Sequence, residues 1–162
     1  MAEYFISIAD CTRYNPNSAT VTATGFNLSV TRNQVKTVGF YVPVSLLPAG
    51  YQRGSFSVSV MKSPLAATVT CGVVNGAGQK IAGGQFSWSD ALKDGAGRIL
   101  IYADVTTTSN LNISAKLTGM GLTVDVPESA GTNLRLGGAA VTGVYLGAEE
   151  ITGAYHGDNK LF

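Results

Sequence analysis

SFSVSVM, Ser55 to Met61, is the stretch that decides the fold. Side chains of an extended chain alternate between two faces, so Phe56, Val58 and Val60 fall on one side and Ser55, Ser57 and Ser59 on the other. A strand with one dry and one wet face belongs to an antiparallel sheet packed on a core through a single side.

The same period-two pattern recurs outward in both directions. Upstream lie Thr20 to Val30 (TVTATGFNLSV) and Thr37 to Leu46 (TVGFYVPVSL), where Pro43 marks an edge or a bulge because proline cannot donate to a ladder. Downstream, Ala67 to Val74 (ATVTCGVV) runs into Asn75-Gly76, a two-residue hairpin signal. Lys80 to Trp88 reads as the next strand, followed by a turn through Asp94-Gly95-Ala96-Gly97. Arg98 to Val105 (RILIYADV) reads as the most buried strand, and Leu111 to Leu117 and Leu122 to Val126 complete the set. Ser89 to Lys93 supplies one helical turn capped by Ser89, and no longer segment has helical periodicity. Some eight short strands with turn chemistry between them predict an all-β protein, an antiparallel β-sandwich of jelly-roll type.

The pattern changes after Pro127. Residues 1–127 are expected to form the sandwich body and residues 128–140 a glycine-rich connector. Residues 141–162 hold a ten-residue repeat, TGVYLGAEEI then TGAYHGDNKLF, which predicts a C-terminal extended arm of short β elements turning at Gly147 and Gly157.

Composition narrows the chemistry. The chain has 162 residues, 45% hydrophobic and only 13% charged, with a net charge of +1. It is long enough for one cored domain, and its surface must rest on Ser, Thr, Asn and Gly rather than on ions. No basic field draws in nucleic acid, and no apolar run approaches a membrane span, so neither nucleic acid binding nor membrane insertion is expected. Met1 to Asp10 lacks the charged and apolar regions of a secretory signal, which predicts folding in a cytoplasm. Cys11 and Cys71 fit no metal spacing and are expected to be reduced and packed. The single histidine, His156, leaves a hydrolytic triad or a zinc site without partners. No enzyme activity, cofactor or metal is therefore expected.

Other polar clusters read as turn chemistry. Asp90, Asp94 and Asp104 have no calcium-loop spacing, and Asp in turns bonds nearby backbone. Glu149 and Glu150 are adjacent and point apart on an extended chain. Gly76-Ala77-Gly78 and Gly95-Ala96-Gly97 lead into no helix that would hold a phosphate. Of the aromatics Tyr41, Tyr51, Trp88 and Tyr102, a core role is favoured, with Tyr51 and Trp88 kept as glycan-contact candidates. Val144, Tyr145, Leu146, Ile151, Tyr155, Leu161 and Phe162 concentrate apolar surface that must dock, and they are the expected assembly interface.

The ending Val144-Tyr145-Leu146-Gly147 with Ile151, followed by Ala154-Tyr155-His156-Gly157 and Leu161-Phe162, resembles the repeated V-Y-L-G-x-x-x-(I/V) ending of small virion proteins of tailed bacteriophages, typically minor tail and fibre-type proteins. The second copy departs from it, with Ala154 for Val and His156 for Leu. The resemblance implies a structural role in a virion assembled in a bacterial cytoplasm, as a minor tail protein or, alternatively, a capsid decoration or head-fibre protein. Implied partners are other virion proteins and copies of the chain itself. A carbohydrate-binding, host-recognition module contacting host surface glycan is the remaining alternative.

Overall fold

The computed structural model describes residues 2–127 and six two-residue strands between residues 135 and 160. The chain divides into two units, Met1–Val126 and Pro127–Phe162. In the first, the strands are β1 (Ala2–Ser7), β2 (Thr12–Tyr14), β3 (Thr20–Thr22), β4 (Gly25–Val30), β5 (Lys36–Pro43), β6 (Ser55–Ser63), β7 (Ala67–Val74), β8 (Lys80–Ala82), β9 (Gln85–Ser87), β10 (Arg98–Thr107) and β11 (Ile113–Val126).

Four nested antiparallel pairs define the topology. β7 pairs with β8, β6 with β9, β5 with β10 and β4 with β11. This is one long hairpin rolled over on itself. Two further pairings, β6 with β11 and β7 with β10, close the roll into two sheets. One sheet runs β3-β4-β11-β6-β9, with β1 also on β11; the other runs β2-β5-β10-β7-β8. The strand order is that of a jelly roll, so the all-β sandwich expected from alternation is the fold.

The core fills the space between the sheets. Phe26, Phe56, Leu117 and Leu122 from the first sheet meet Val38, Phe40, Ile99 and Ile101 from the second, all with no exposed surface. Phe56 is buried while Ser55 is exposed, as the alternation in SFSVSVM requires. β10 lies between β5 and β7, and its Ile99, Ile101, Ala103 and Val105 all face inward.

Several expected strands are divided or joined differently, each for a local reason. Thr20 to Val30 folds back at Ala23-Thr24 into β3 and β4, because a Cβ on Gly25 would lie 2.1 Å from the Leu117 carbonyl oxygen and only glycine admits that approach. Lys80 to Trp88 is cut at Gly83-Gly84, where Gly83 takes φ +141° and the chain crosses from one sheet to the other. The two last strands are one: β11 runs through a bulge between Thr118 and Gly121, with Gly119 at φ +61°. The bulge moves the inward side from odd positions (Ala115, Leu117) to even ones (Leu122, Val124), which breaks the alternation in sequence without breaking the strand. The Asn75-Gly76 hairpin has a five-residue loop, not two, because the Asn75 carboxamide oxygen accepts from the N–H groups of Ala77 and Gln79 and holds the loop open. Ser89 caps a single 3-10 turn, Asp90–Leu92, by accepting from the Ala91 N–H.

In the second unit the strands are β12 (Arg135–Leu136), β13 (Ala139–Ala140), β14 (Tyr145–Leu146), β15 (Glu149–Glu150), β16 (Tyr155–His156) and β17 (Asn159–Lys160). They pair antiparallel as β12 with β13, β14 with β15 and β16 with β17. Each pair begins ten residues after the last, and the register repeats: Arg135 opposite Ala140, Tyr145 opposite Glu150, Tyr155 opposite Lys160. The segment read as a connector thus contains the first of three ladders on one ten-residue period.

Candidate assembly interface

A sandwich offers three kinds of surface to a partner: its sheet edges, its outer faces and its loop ends. Edge strands carry unpaired N–H and C=O groups, and short edges protect against unwanted pairing. β2, β3, β8 and β9 are edge strands of three residues each. β1 is different: six residues long, paired with β11 on one side and with no described strand on the other. It carries Tyr4 and Phe5, both exposed. The Phe5 ring lies over Gly121, where an added Cβ would sit 2.4 Å from the ring.

One loop end is apolar. Leu65 in the β6–β7 loop is 96% exposed, Leu111 between β10 and β11 is 74% exposed, and Val35 before β5 is 56% exposed. Hydrogen bonds tie these three loops together, from the Thr108 N–H to the Ala66 carbonyl at 3.2 Å and from the Arg32 guanidinium to the Asn110 side chain. Val35, Leu65 and Leu111 are each a large apolar side chain left in solvent on loops tethered to one another. None of Tyr4, Phe5, Val35, Leu65 and Leu111 is among the candidates expected from the sequence. The available signal was a lone large apolar residue set among turn formers, as in Pro64-Leu65 and Asn110-Leu111.

The outer face of the second sheet is closed by its own side chains. Tyr102 lies across Gly72 and is 2% exposed. Lys80 spans its ring, with the ammonium 4.9 Å from the centroid, and bonds Asp104 at 2.7 Å and the Thr37 hydroxyl at 2.9 Å. Burial, then the Asp104 charge, raise the Tyr102 phenol pKa against the opposing pull of Lys80. Nearby, the Arg98 guanidinium stacks 4.1 Å over Tyr41, whose edge meets Tyr14. Asp94 anchors that arginine through its second carboxylate oxygen and accepts from the Ala96 and Arg98 N–H groups through the first. Burial alone pushes the Asp94 carboxyl up, but these donors outweigh it and hold the pKa below 3.8. Asp94 is turn chemistry, Asp104 is paired with Lys80 and Asp90 with Lys93. Among the described residues no group of acidic, Cys or His side chains forms a metal cluster.

Tyr51 and Trp88 meet edge to face at 4.8 Å, and Trp88 also packs near Phe56, which stacks on Phe86. Both glycan-contact candidates are half-buried against the core. Cys11 and Cys71 are free and half-buried; burial first, then Asp10 and Asp104 respectively, push each thiol up to about 11. Such thiols are poor nucleophiles and poor metal ligands at neutral pH.

Of the expected C-terminal interface, Tyr145, Leu146 and Tyr155 lie in β14 and β16, opposite Glu150, Glu149 and Lys160. Val144, Ile151, Leu161 and Phe162 lie outside the described residues. A comparison with protein-family models finds no match, and neither does a comparison with curated proteins.

Proposed function

We propose that the chain is a structural subunit of a bacteriophage particle, a minor tail protein that joins its neighbours through sheet edges and through its ten-residue C-terminal repeat. The observation that carries this reading is the repeat itself: three antiparallel ladders in one register, at residues 135–140, 145–150 and 155–160, following a sandwich body. Repeated short units stack on neighbours to bury surface that one unit cannot bury alone. The V-Y-L-G-x-x-x-I resemblance lies on the second of these ladders. The β1 edge, with no described strand on its far side, and the exposed Val35, Leu65 and Leu111 add surfaces suited to symmetric copies or other virion proteins.

Removing residues from Val141 onward tests the reading. The shortened protein is expected to keep the cooperative unfolding of the sandwich and to be missing from particles assembled in its presence. Normal incorporation of the shortened chain contradicts docking through the repeat.

A further inference from the structure

A polar trough lies where the β2–β3 loop crosses from one sheet to the other. Asn17, Ser18, Thr20, Asn27, Ser29 and Lys36 line a cavity of about 280 Å³, with Ala19 and Leu28 as its apolar part. A second hollow of about 210 Å³ shares Thr20, Asn27 and Ser29 and adds Ser114. The sheet register explains the lining. Thr20, Asn27 and Lys116 stand in one row across β3, β4 and β11, and Ser29 and Ser114 in the next, all on the outer face. Directly opposed residues of antiparallel strands share a side.

The rim is fixed in advance. Ser18 adopts φ +52°, a left-handed conformation that non-glycine residues take only when their surroundings hold them there. The Asn15 carboxamide does so by accepting from the Ala19 N–H at 2.8 Å and donating to the Ala19 carbonyl at 2.6 Å. Asn17 ties the loop to β5 by donating to the Thr37 carbonyl at 2.6 Å.

The groups offered are two carboxamides, Asn27 and Asn17 (the latter already donating to the Thr37 carbonyl), several hydroxyls and one ammonium, with no carboxylate. Among the described residues Lys36 forms no ion pair. Carboxamides and hydroxyls both donate and accept, which matches the vicinal hydroxyls of a sugar, and a lone ammonium favours a carboxylate. At about 280 Å³ the trough lies just below the usual size range of small-ligand sites and differs from most of them in being lined by polar groups, which suits a polyhydroxylated ligand rather than an apolar one. We propose that the trough is a subsite for a carboxylated sugar, with Asn27, Thr20 and Ser29 taking ring hydroxyls and Lys36 the carboxylate. This goes beyond the structural role and does not depend on it.

Titrating the full chain with galacturonate while recording amide shifts tests the site, with galactose as the neutral counterpart. Shifts are expected at residues 17–20, 27–29 and 36. Asn27→Ala is expected to weaken both sugars by roughly tenfold, the loss of one buried-side hydrogen bond. Lys36→Gln is expected to weaken galacturonate by about tenfold and leave galactose unchanged. Ser29→Tyr, on the exposed face, fills the trough and should abolish binding even if Asn27→Ala proves hard to fold. Absence of trough shifts with galacturonate, glucuronate and N-acetylneuraminate at millimolar concentration overturns the proposal, as does a Lys36→Gln loss equal for acidic and neutral sugar.

Discussion

The two outer faces of the sandwich have been used in opposite ways. The face of the second sheet carries Tyr14, Tyr41 and Tyr102, and each is engaged: Tyr102 is laid on Gly72 under Lys80, and Tyr41 is covered by Arg98. The face of the first sheet carries Ser29, Ser55, Ser57, Ser59, Ser114 and Thr123, with the Phe5 ring and Met61 exposed. The first arrangement saturates its aromatic and ionic groups within the chain and leaves little for a partner. The second leaves small polar groups, an open trough and a six-residue edge, β1, with no described strand beyond it. Low charge thus means different things on the two sides. The second face engages its charges with its own aromatics and carboxylates, whereas the first carries Glu3, Lys116 and Asp125 among serines and threonines.

The comparison can be broken by substitution. On the closed face, Gly72→Ala puts a Cβ 2.1 Å from the Ile81 carbonyl oxygen and 2.7 Å from the Tyr102 ring. The cost is expected to be about 3 kcal/mol, the upper end of ordinary overpacking, read from urea unfolding. Ser29→Val on the open face should change stability by less than about 0.5 kcal/mol in the same assay. Similar losses at both positions would mean that the faces are not used differently.

A smaller effect sharpens the contrast through pH. The Asp94 pKa is lower in the folded chain than its ordinary 3.8, so the folded state gains stability above pH 3.8 and loses it as pH falls through the folded value. Asp94→Asn removes that gain. Wild type is expected to be the more stable at neutral pH by at most about 1 kcal/mol, as for exposed pairs, and the difference should vanish in strong acid. A constant difference across that range would place the effect in packing of Arg98 on Tyr41 instead.

What was legible in the sequence follows the same division. Alternation in SFSVSVM and the apolar run of RILIYADV predict β6 and β10 closely, because in an unbulged strand a buried face imposes period two and a strand covered on both sides stays apolar. Chain reversals were harder. Gly25, Gly83 and Gly119 act through close backbone approach or positive φ, and neither is visible until the partner strand is in place. β1 escaped because AEYFIS buries only Ile6 and so shows no period. The trough escaped for a different reason: its residues come from β3, β4, β5 and one loop, and only the rolled topology brings Asn17, Asn27 and Lys36 together. The ladder at residues 135–140 belongs to a unit, Thr132 to Val141, that keeps the Thr, Leu-Gly and aliphatic positions of the next unit, but Arg135 stands where Tyr145 and Tyr155 mark the later copies, and the glycine-rich run around it reads as a connector.

The central claim is that this chain is a part of a particle. A quantitative mass-spectrometric inventory of purified phage particles from cells that express it tests that claim most directly. The account predicts the chain among the virion proteins, in a fixed copy number that is a small multiple of the particle's rotational symmetry. Recovery of the chain only in the soluble fraction, with none in the purified particles, would contradict it.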